Sequence, residues 1–126
     1  MLDKVYIAES KIANAGRGVY ARRDIRKGEV VEMCPTIDIS TDDLVYLNET
    51  TLVTYLFYCG DDLEQAVIAL GFGSIYNHSY QPNAIYEIKP QKGVMSLVAL
   101  RDISKDEEIT VSYKRSSKNK TPLWFE

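Results

Sequence analysis

The sequence predicts a mainly β protein folded as one domain, and three observations predict it. The segment ARRDIRKGEVVE at 21–32 returns as ALRDISKDEEIT at 99–110, with Ala21/Ala99, Arg23/Arg101, Asp24/Asp102, Ile25/Ile103, Lys27/Lys105 and Glu29/Glu107 coincident. Each copy reads as strand, tight polar turn, strand, with Lys27-Gly28 or Lys105-Asp106 at the turn. The β-prone runs are short and set apart by Gly, Pro or polar residues, and helix signals are confined to brief stretches. No Pro/Gly/Ser linker divides the 126 residues, a length that buries roughly two-thirds of its unfolded surface around one core.

Residues 4–8, KVYIA, alternate weakly and read as the first strand. A polar connection at 10–15 leads into Gly16-Arg17-Gly18 and then Val19-Tyr20-Ala21. A G-x-G before a β-prone run fits a hairpin turn; it lacks the third glycine and the following helix of a dinucleotide loop. The repeated segment predicts two similar hairpin-like corners and is too short for a solenoid. Ser40-Thr41-Asp42-Asp43 is an N-cap signature, so a short helical turn is expected to start there. LVTYLFY at 52–58 is continuously apolar and fits a buried strand or a short helix equally well. Residues 61–70 read as a second short helical piece ended by Gly71. Two strands are expected at 84–88 and 94–100, joined by a turn at 90–93, and a last one at 109–113. Residues 114–120 are polar and basic, and Trp124-Phe125 follows.

The net charge of −3 argues against a general nucleic-acid binder, which needs a basic surface. It favours a basic partner such as a lysine-rich protein segment. Cys34 and Cys59 are too few and too isolated for a zinc cluster or a disulfide framework, so they are expected as reduced, buried thiols. Only a short apolar run follows Asp3 and Lys4, which does not read as a leader peptide, and no apolar run reaches membrane-spanning length. The expectation is an intracellular domain, cytoplasmic or nuclear. Nine tyrosines against three phenylalanines suggest a surface or pocket that needs both aromatic faces and hydroxyls.

The stretch GFGSIYNHSYQPN at 71–83 is the most concentrated in chemistry, holding the only histidine, Asn77, a proline and several turn formers. By itself the Asn-His-Ser tripeptide fits an ordinary capped turn. In company it does more. VYIAESKIANAGRGVYA, then GFGSIYNHSYQPNAIY, then DEEITVSY, in that order over residues 5–113, resemble the SET-domain family of protein lysine methyltransferases. The chain lacks the cysteine-rich segments that often flank this domain and is similar to the compact stand-alone members. The resemblance implies a SET-domain β-clip fold: several small curved sheets, short helical turns and a C-terminal segment threaded beneath a loop, an exception to the rule against threading. It implies one domain over 1–126, with a core at 5–113 and a C-terminal aromatic segment at 114–126.

The chemistry so implied is in-line transfer of a methyl group from S-adenosylmethionine to a lysine ε-amine, leaving S-adenosylhomocysteine, with no metal. The chief requirement is positioning. The lysine must also be neutral: lowering its pKa from about 10.4 to a working pH near 8 corresponds to roughly 3 kcal/mol, and an apolar channel beside a sulfonium shifts it in that direction. By resemblance, Tyr113 is the catalytic tyrosine. Asn77 and His78 match the cofactor-binding pair, His78 acting through its backbone rather than as a base. Gly16, Arg17 and Gly18 match the loop beside the methionine part of the cofactor, and Trp124 matches the aromatic that folds over the adenine, while a terminal tryptophan equally fits an apolar gap or a dimer contact. Tyr20 is expected to pack in the core beside that loop. Tyr86, with Tyr113, matches the lining of the lysine channel at a position that is tyrosine or phenylalanine in relatives, and its hydroxyl there implies mono- or dimethylation. Where some relatives place another channel tyrosine this chain has Cys34, and Tyr55 is a candidate for the missing wall. The implied substrate is an extended lysine-bearing segment, a histone tail or another basic protein, with no direct nucleic-acid or membrane contact. A homodimer could complete the substrate groove.

Two other readings compete. The ARRDIRKGEVV unit alone resembles the small non-catalytic β-clip (SAF-like) binding domains, a reading that leaves NHSYQPN and Tyr113 without a purpose. A degenerate SET domain that binds protein without methylating it is the other, and the intact Asn77, His78 and Tyr113 speak against it.

Overall fold

Two sheets share one apolar core in the computed structural model, which describes residues 3–59 and 65–112. The strands are β1 (Val5–Glu9), β2 (Arg17–Ala21), β3 (Val30–Ile39), β4 (Leu56–Cys59), β5 (Gln65–Ala69), β6 (Asn77–His78), β7 (Ala84–Lys89), β8 (Val94–Ala99) and β9 (Glu108–Val111). One helix, α1 (Thr41–Leu47), and 3-10 turns at Thr51–Tyr55 and Pro90–Lys92 complete the elements. The sheets run β1-β2-β9-β6 and β4-β5-β3-β8-β7, and every pairing is antiparallel except β6 with β9. The mainly β expectation holds. No helix among the described residues is long and apolar enough to cross a membrane.

Several local readings hold for the reasons given. Ser40 caps α1, its hydroxyl accepting from the Asp43 amide at 3.1 Å. The 52–58 run divides between its two readings, a 3-10 turn to Tyr55 and then β4, but the burial expected of it fails, since Leu52, Val53, Tyr55 and Tyr58 are exposed. The β7–β8 pair is joined by the 90–93 turn, closed by Gly93 at φ 66°. Cys34 and Cys59 are free and buried, and burial, then the nearby Glu32 carboxylate, push the Cys34 thiol up to about 12.

Two readings are corrected. The helical piece expected over 61–70 is, in its described part, the strand β5. It lies between β4 and β3, buries Ala66, Val67 and Ala69, and finds backbone partners on both edges. Sheet pairing on two sides outweighs the weak helical pattern of a short apolar run. The repeated segments also do not fold back as separate hairpins. Their turns fall at the expected Lys27-Gly28 and Lys105-Asp106, with Gly28 at φ 84° and Asp106 at φ 68°. The strands, however, are exchanged: β2 before the first turn pairs with β9 after the second, and β8 before the second pairs with β3 after the first. Ile25 and Ile103 trade N–H···O=C bonds of 2.8 and 2.7 Å at the crossing, and both side chains are buried. Asp24 accepts from the Lys105 amide at 2.9 Å and Asp102 from the Lys27 amide at 2.8 Å. The turns' amides are thus satisfied by the opposite copy, which a hairpin folded on itself would not provide.

Candidate functional site

The stretch that ends in Asn77 is anchored from beneath by a buried carboxylate. Glu32 on β3 is 5% exposed; it accepts from the Tyr76 hydroxyl at 2.6 Å and from the Phe72 amide at 3.0 Å. Gly71 stands at φ 62°, and a Cβ there would lie 2.5 Å from the Glu32 carboxylate, so the position accepts only glycine. Burial, and next the Glu32 charge, raise the Tyr76 hydroxyl far above the ordinary tyrosine value, keeping it a neutral donor. Both ends of the loop before Asn77 are therefore tied to β3.

Asn77 itself is held by two segments remote in sequence. Its Nδ2 donates to the Arg17 carbonyl and to Glu108 Oε2, both at 2.8 Å. Glu108, the first residue of β9, also accepts from the Ser10 hydroxyl at 2.8 Å. Gly18 is where these groups meet: a Cβ there would collide with Glu108 Oε2 and lie 3.1 Å from Asn77 Nδ2. The G-x-G, N-H-S and E-E-I-T segments thus converge on one carboxylate. With both amide N–H groups engaged, Asn77 has only its carboxamide oxygen to offer a ligand. Among the described residues, its chain neighbours aside, nothing lies within 4 Å of where a Cβ on Gly16, at φ 75°, would stand.

His78 pairs in parallel register with Val111, and the Ser79 amide donates to the Val111 carbonyl at 2.9 Å. Its ring meets Tyr80 edge-on, with centroids 4.5 Å apart. Asn83 closes the motif. Buried to 2% exposure, it accepts from the Thr110 amide and donates to the Glu108 carbonyl, each at 2.8 Å, so its side chain serves β9 as a strand partner. This accounts for the N-H-S-x-x-P-N spacing, because one asparagine holds the Glu108 side chain and the other its backbone.

Of the aromatic residues singled out, Tyr20 is buried as expected, its hydroxyl donating to the Glu9 carbonyl at 2.8 Å. Tyr86 lies half-buried on β7 opposite Leu97. The ring packed edge-on against Tyr86, at 5.1 Å between centroids, is Phe57; Tyr55, two residues earlier, is 43% exposed. Arg17 is exposed at the start of β2. Tyr113 and Trp124, and with them the threaded segment, lie outside the described residues. The description ends at Ser112, just past β9 and its pairing with His78. Among the described residues no group of three or more His, Cys, Asp or Glu is gathered to hold a metal ion.

Sequence reasoning missed Ser10, Glu32, Phe57 and Glu108. One signal for Glu108 was present: directly after Glu29 and Glu107 the two copies part, Val30 standing where the second has an acid.

Comparison with known proteins agrees with this fold. The profile of the SET domain matches residues 16–114. A histone-lysine N-methyltransferase of Schizosaccharomyces pombe, specific for lysine 37 of H3, is 30% identical over 88% of this chain and 71% of its own length. A crystal structure from Plasmodium falciparum, provisionally described as a histone methyltransferase, superposes with a TM-score of 0.73 at 35% identity, covering 98% of this chain and 97% of that one. The Polycomb Repressive Complex 2 of Chaetomium thermophilum, solved bound to S-adenosylmethionine, shares the fold at a TM-score of 0.74 and 24% identity, over 91% of this chain and 16% of that one.

Proposed function

This chain belongs to the SET-domain family of protein lysine methyltransferases, and from that premise we propose that it methylates a lysine ε-amine on a histone tail or a similarly basic segment. The observation that carries the reading is the convergence of the Gly16–Gly18 loop, Asn77 and the start of β9 on Glu108. That strand leads within two residues of its last member, Val111, to Tyr113.

S-adenosylmethionine, when bound, supplies an electrophilic methyl group on a sulfonium. The residues fit it in two respects. Asn77 keeps one acceptor for an N–H or ammonium donor, and Gly16 carries no Cβ to hold a ligand away from its backbone. His78 is assigned a backbone contact beside Asn77, Arg17 a place along the same loop, and Trp124 a cover over the adenine. Tyr113 is assigned the catalytic place, its hydroxyl orienting the attacking amine. Tyr86 lines the lysine channel, backed by Phe57, with Tyr55 assigned to the wall by resemblance. Desolvation in the channel and the like charge of the sulfonium disfavour the ammonium and keep the amine nucleophilic. The Tyr86 hydroxyl holds the amine or a water and crowds further methyl groups, which favours mono- and dimethyl products. A basic, histone-like substrate suits the net charge of −3 and places the work in the nucleus or wherever such proteins are found; a second copy completing the groove belongs to the same reading.

A radiolabelled-methyl assay over core histones and a cell extract tests it. Wild type should label a lysine-bearing protein, Tyr113→Phe should lose about 100-fold or more in rate, and Tyr86→Phe should shift products toward trimethyl-lysine. Wild type that binds S-adenosylmethionine in a calorimeter yet labels nothing would indicate the degenerate binding module. No binding at all would overturn the cofactor assignments of Asn77, His78 and the Gly16–Gly18 loop.

A further inference from the structure

We propose that Glu108 is a positioning residue that fixes the Asn77 side chain in one of its two amide orientations and so sets what the site recognises. The inference rests on the reading above that Asn77 contacts the cofactor. The geometry is specific. Asn77 Nδ2 lies 2.8 Å from two acceptors, the Arg17 carbonyl and Glu108 Oε2. Rotating the amide by half a turn would bring its oxygen against both, replacing two hydrogen bonds with two acceptor–acceptor contacts. A neutral carbonyl alone imposes that preference weakly; a carboxylate, as a charged acceptor, imposes it about twice as strongly. The orientation is therefore locked with the nitrogen turned inward and the oxygen left for a ligand's donor.

Glu108 is itself held in place. Ser10 donates to both of its oxygens, at 2.8 and 3.0 Å, and Gly18 leaves the space that its carboxylate fills. Its backbone carbonyl is fixed by Asn83 Nδ2 at 2.8 Å. The 18th position thus needs glycine because a neighbour's carboxylate occupies the volume a Cβ would take, whatever the ligand's own demands. The conserved-size variant Glu108→Gln keeps an acceptor for Asn77 and gains a donor for Ser10, so it should retain the lock. Glu108→Ala should release it.

The test combines binding with a ligand-free readout. Affinities for S-adenosylhomocysteine and for its analogue lacking the α-amine are measured by calorimetry, and the Asn77 side-chain amide signals are followed by NMR in protein without ligand. Wild type and Glu108→Gln should prefer S-adenosylhomocysteine by about tenfold or more, and Glu108→Ala should lose most of that preference while its affinity for the deaminated analogue changes by less than about threefold. In the ligand-free protein the Asn77 N–H pair should be slow to exchange in wild type and Glu108→Gln and fast in Glu108→Ala. Should Glu108→Ala fail to fold, Gly18→Ala/Glu108→Ala places a methyl in the vacated space and is measured in its stead. A folded alanine variant that keeps both the preference and the slow exchange overturns the proposal. Wild type that binds neither ligand would overturn the cofactor reading instead, and the exchange data would still judge whether Glu108 holds the amide.

Discussion

The two copies of the repeated segment are alike up to their shared glutamate and different directly after it. Up to that point they make matching contacts, some with each other and some within each copy. Asp24 and Asp102 reach across to opposite turns, Ile25 and Ile103 exchange backbone bonds, and Arg23 with Glu29 repeats as Arg101 with Glu107. Beyond it, the first copy enters the ten-residue strand β3, flanked by β5 and β8, and sends Glu32 into the core beneath the 71–76 loop. The second enters the four-residue strand β9 and presents Glu108 to Asn77 and Ser10. Where the second copy has Glu108 the first has Val30, 41% exposed; where the first has Glu32 the second has Thr110. What the copies share clasps the two halves together, and what they do not share supports the candidate site. A repeat in a small β protein therefore marks scaffold, and the position where it breaks down deserves inspection for function.

The largest expected effect comes from the first copy's unshared acid. Glu32→Ala leaves the Tyr76 hydroxyl and the Phe72 amide without their acceptor in a buried place, and should lower stability by about 3 kcal/mol or more. Val30→Ala, at the position matching Glu108, should change it by less than about 1 kcal/mol. Urea denaturation measures both; equal losses would break the contrast between the buried acid and the exposed valine at these two diverged positions.

The clasp should give a smaller and symmetric response. Asp24→Ala and Asp102→Ala each remove one side-chain acceptor from an exposed turn amide, and each should cost about 1 kcal/mol. Because the two bonds flank one shared crossing, the double variant should depart from additivity. A loss confined to one of the two aspartates would show that the exchange is not reciprocal in energy, although it is in geometry.

The smallest effect is the acid sensitivity that both matching glutamates confer. The Arg26 amide, then Lys4 and Arg23, lower Glu29 from its ordinary 4.5 to about 2, and Arg101 chiefly lowers Glu107. A carboxylate lowered on folding adds stability above its unfolded value, and the addition is lost as pH falls through the folded one. Wild type should therefore weaken as pH drops from about 4.5 to about 2. Thermal melts across that window should be flatter in Glu29→Gln and in Glu107→Gln than in wild type. An unchanged slope in both would show that these pairs contribute nothing net.

Much of the local structure was legible from the chain alone. The positive-φ turns at Gly28 and Asp106, the Ser40 cap and the β7–β8 pair are written in residues only a few positions apart, where covalent geometry limits the choices. The family motifs were equally plain, since their residue types and order are visible without coordinates. β5 was not, because QAVIA has no strong period of its own and becomes a strand through β3 and β4 on either side. Phe57 rather than Tyr55 as the ring against Tyr86 depends on where a 3-10 turn gives way to strand, a one-residue matter inside an apolar run.

Sequence, then, settled the class of fold, the turns and the family, since each depends on neighbours along the chain or on residues that chemistry cannot exchange. Folding in three dimensions settled the partners. Glu108 meets Ser10 across 98 positions and Asn77 across 31, and Asn77 meets Arg17 across 60. No pattern of spacing encodes such meetings; they follow from the crossing of two copies whose strands pair with each other instead of with themselves.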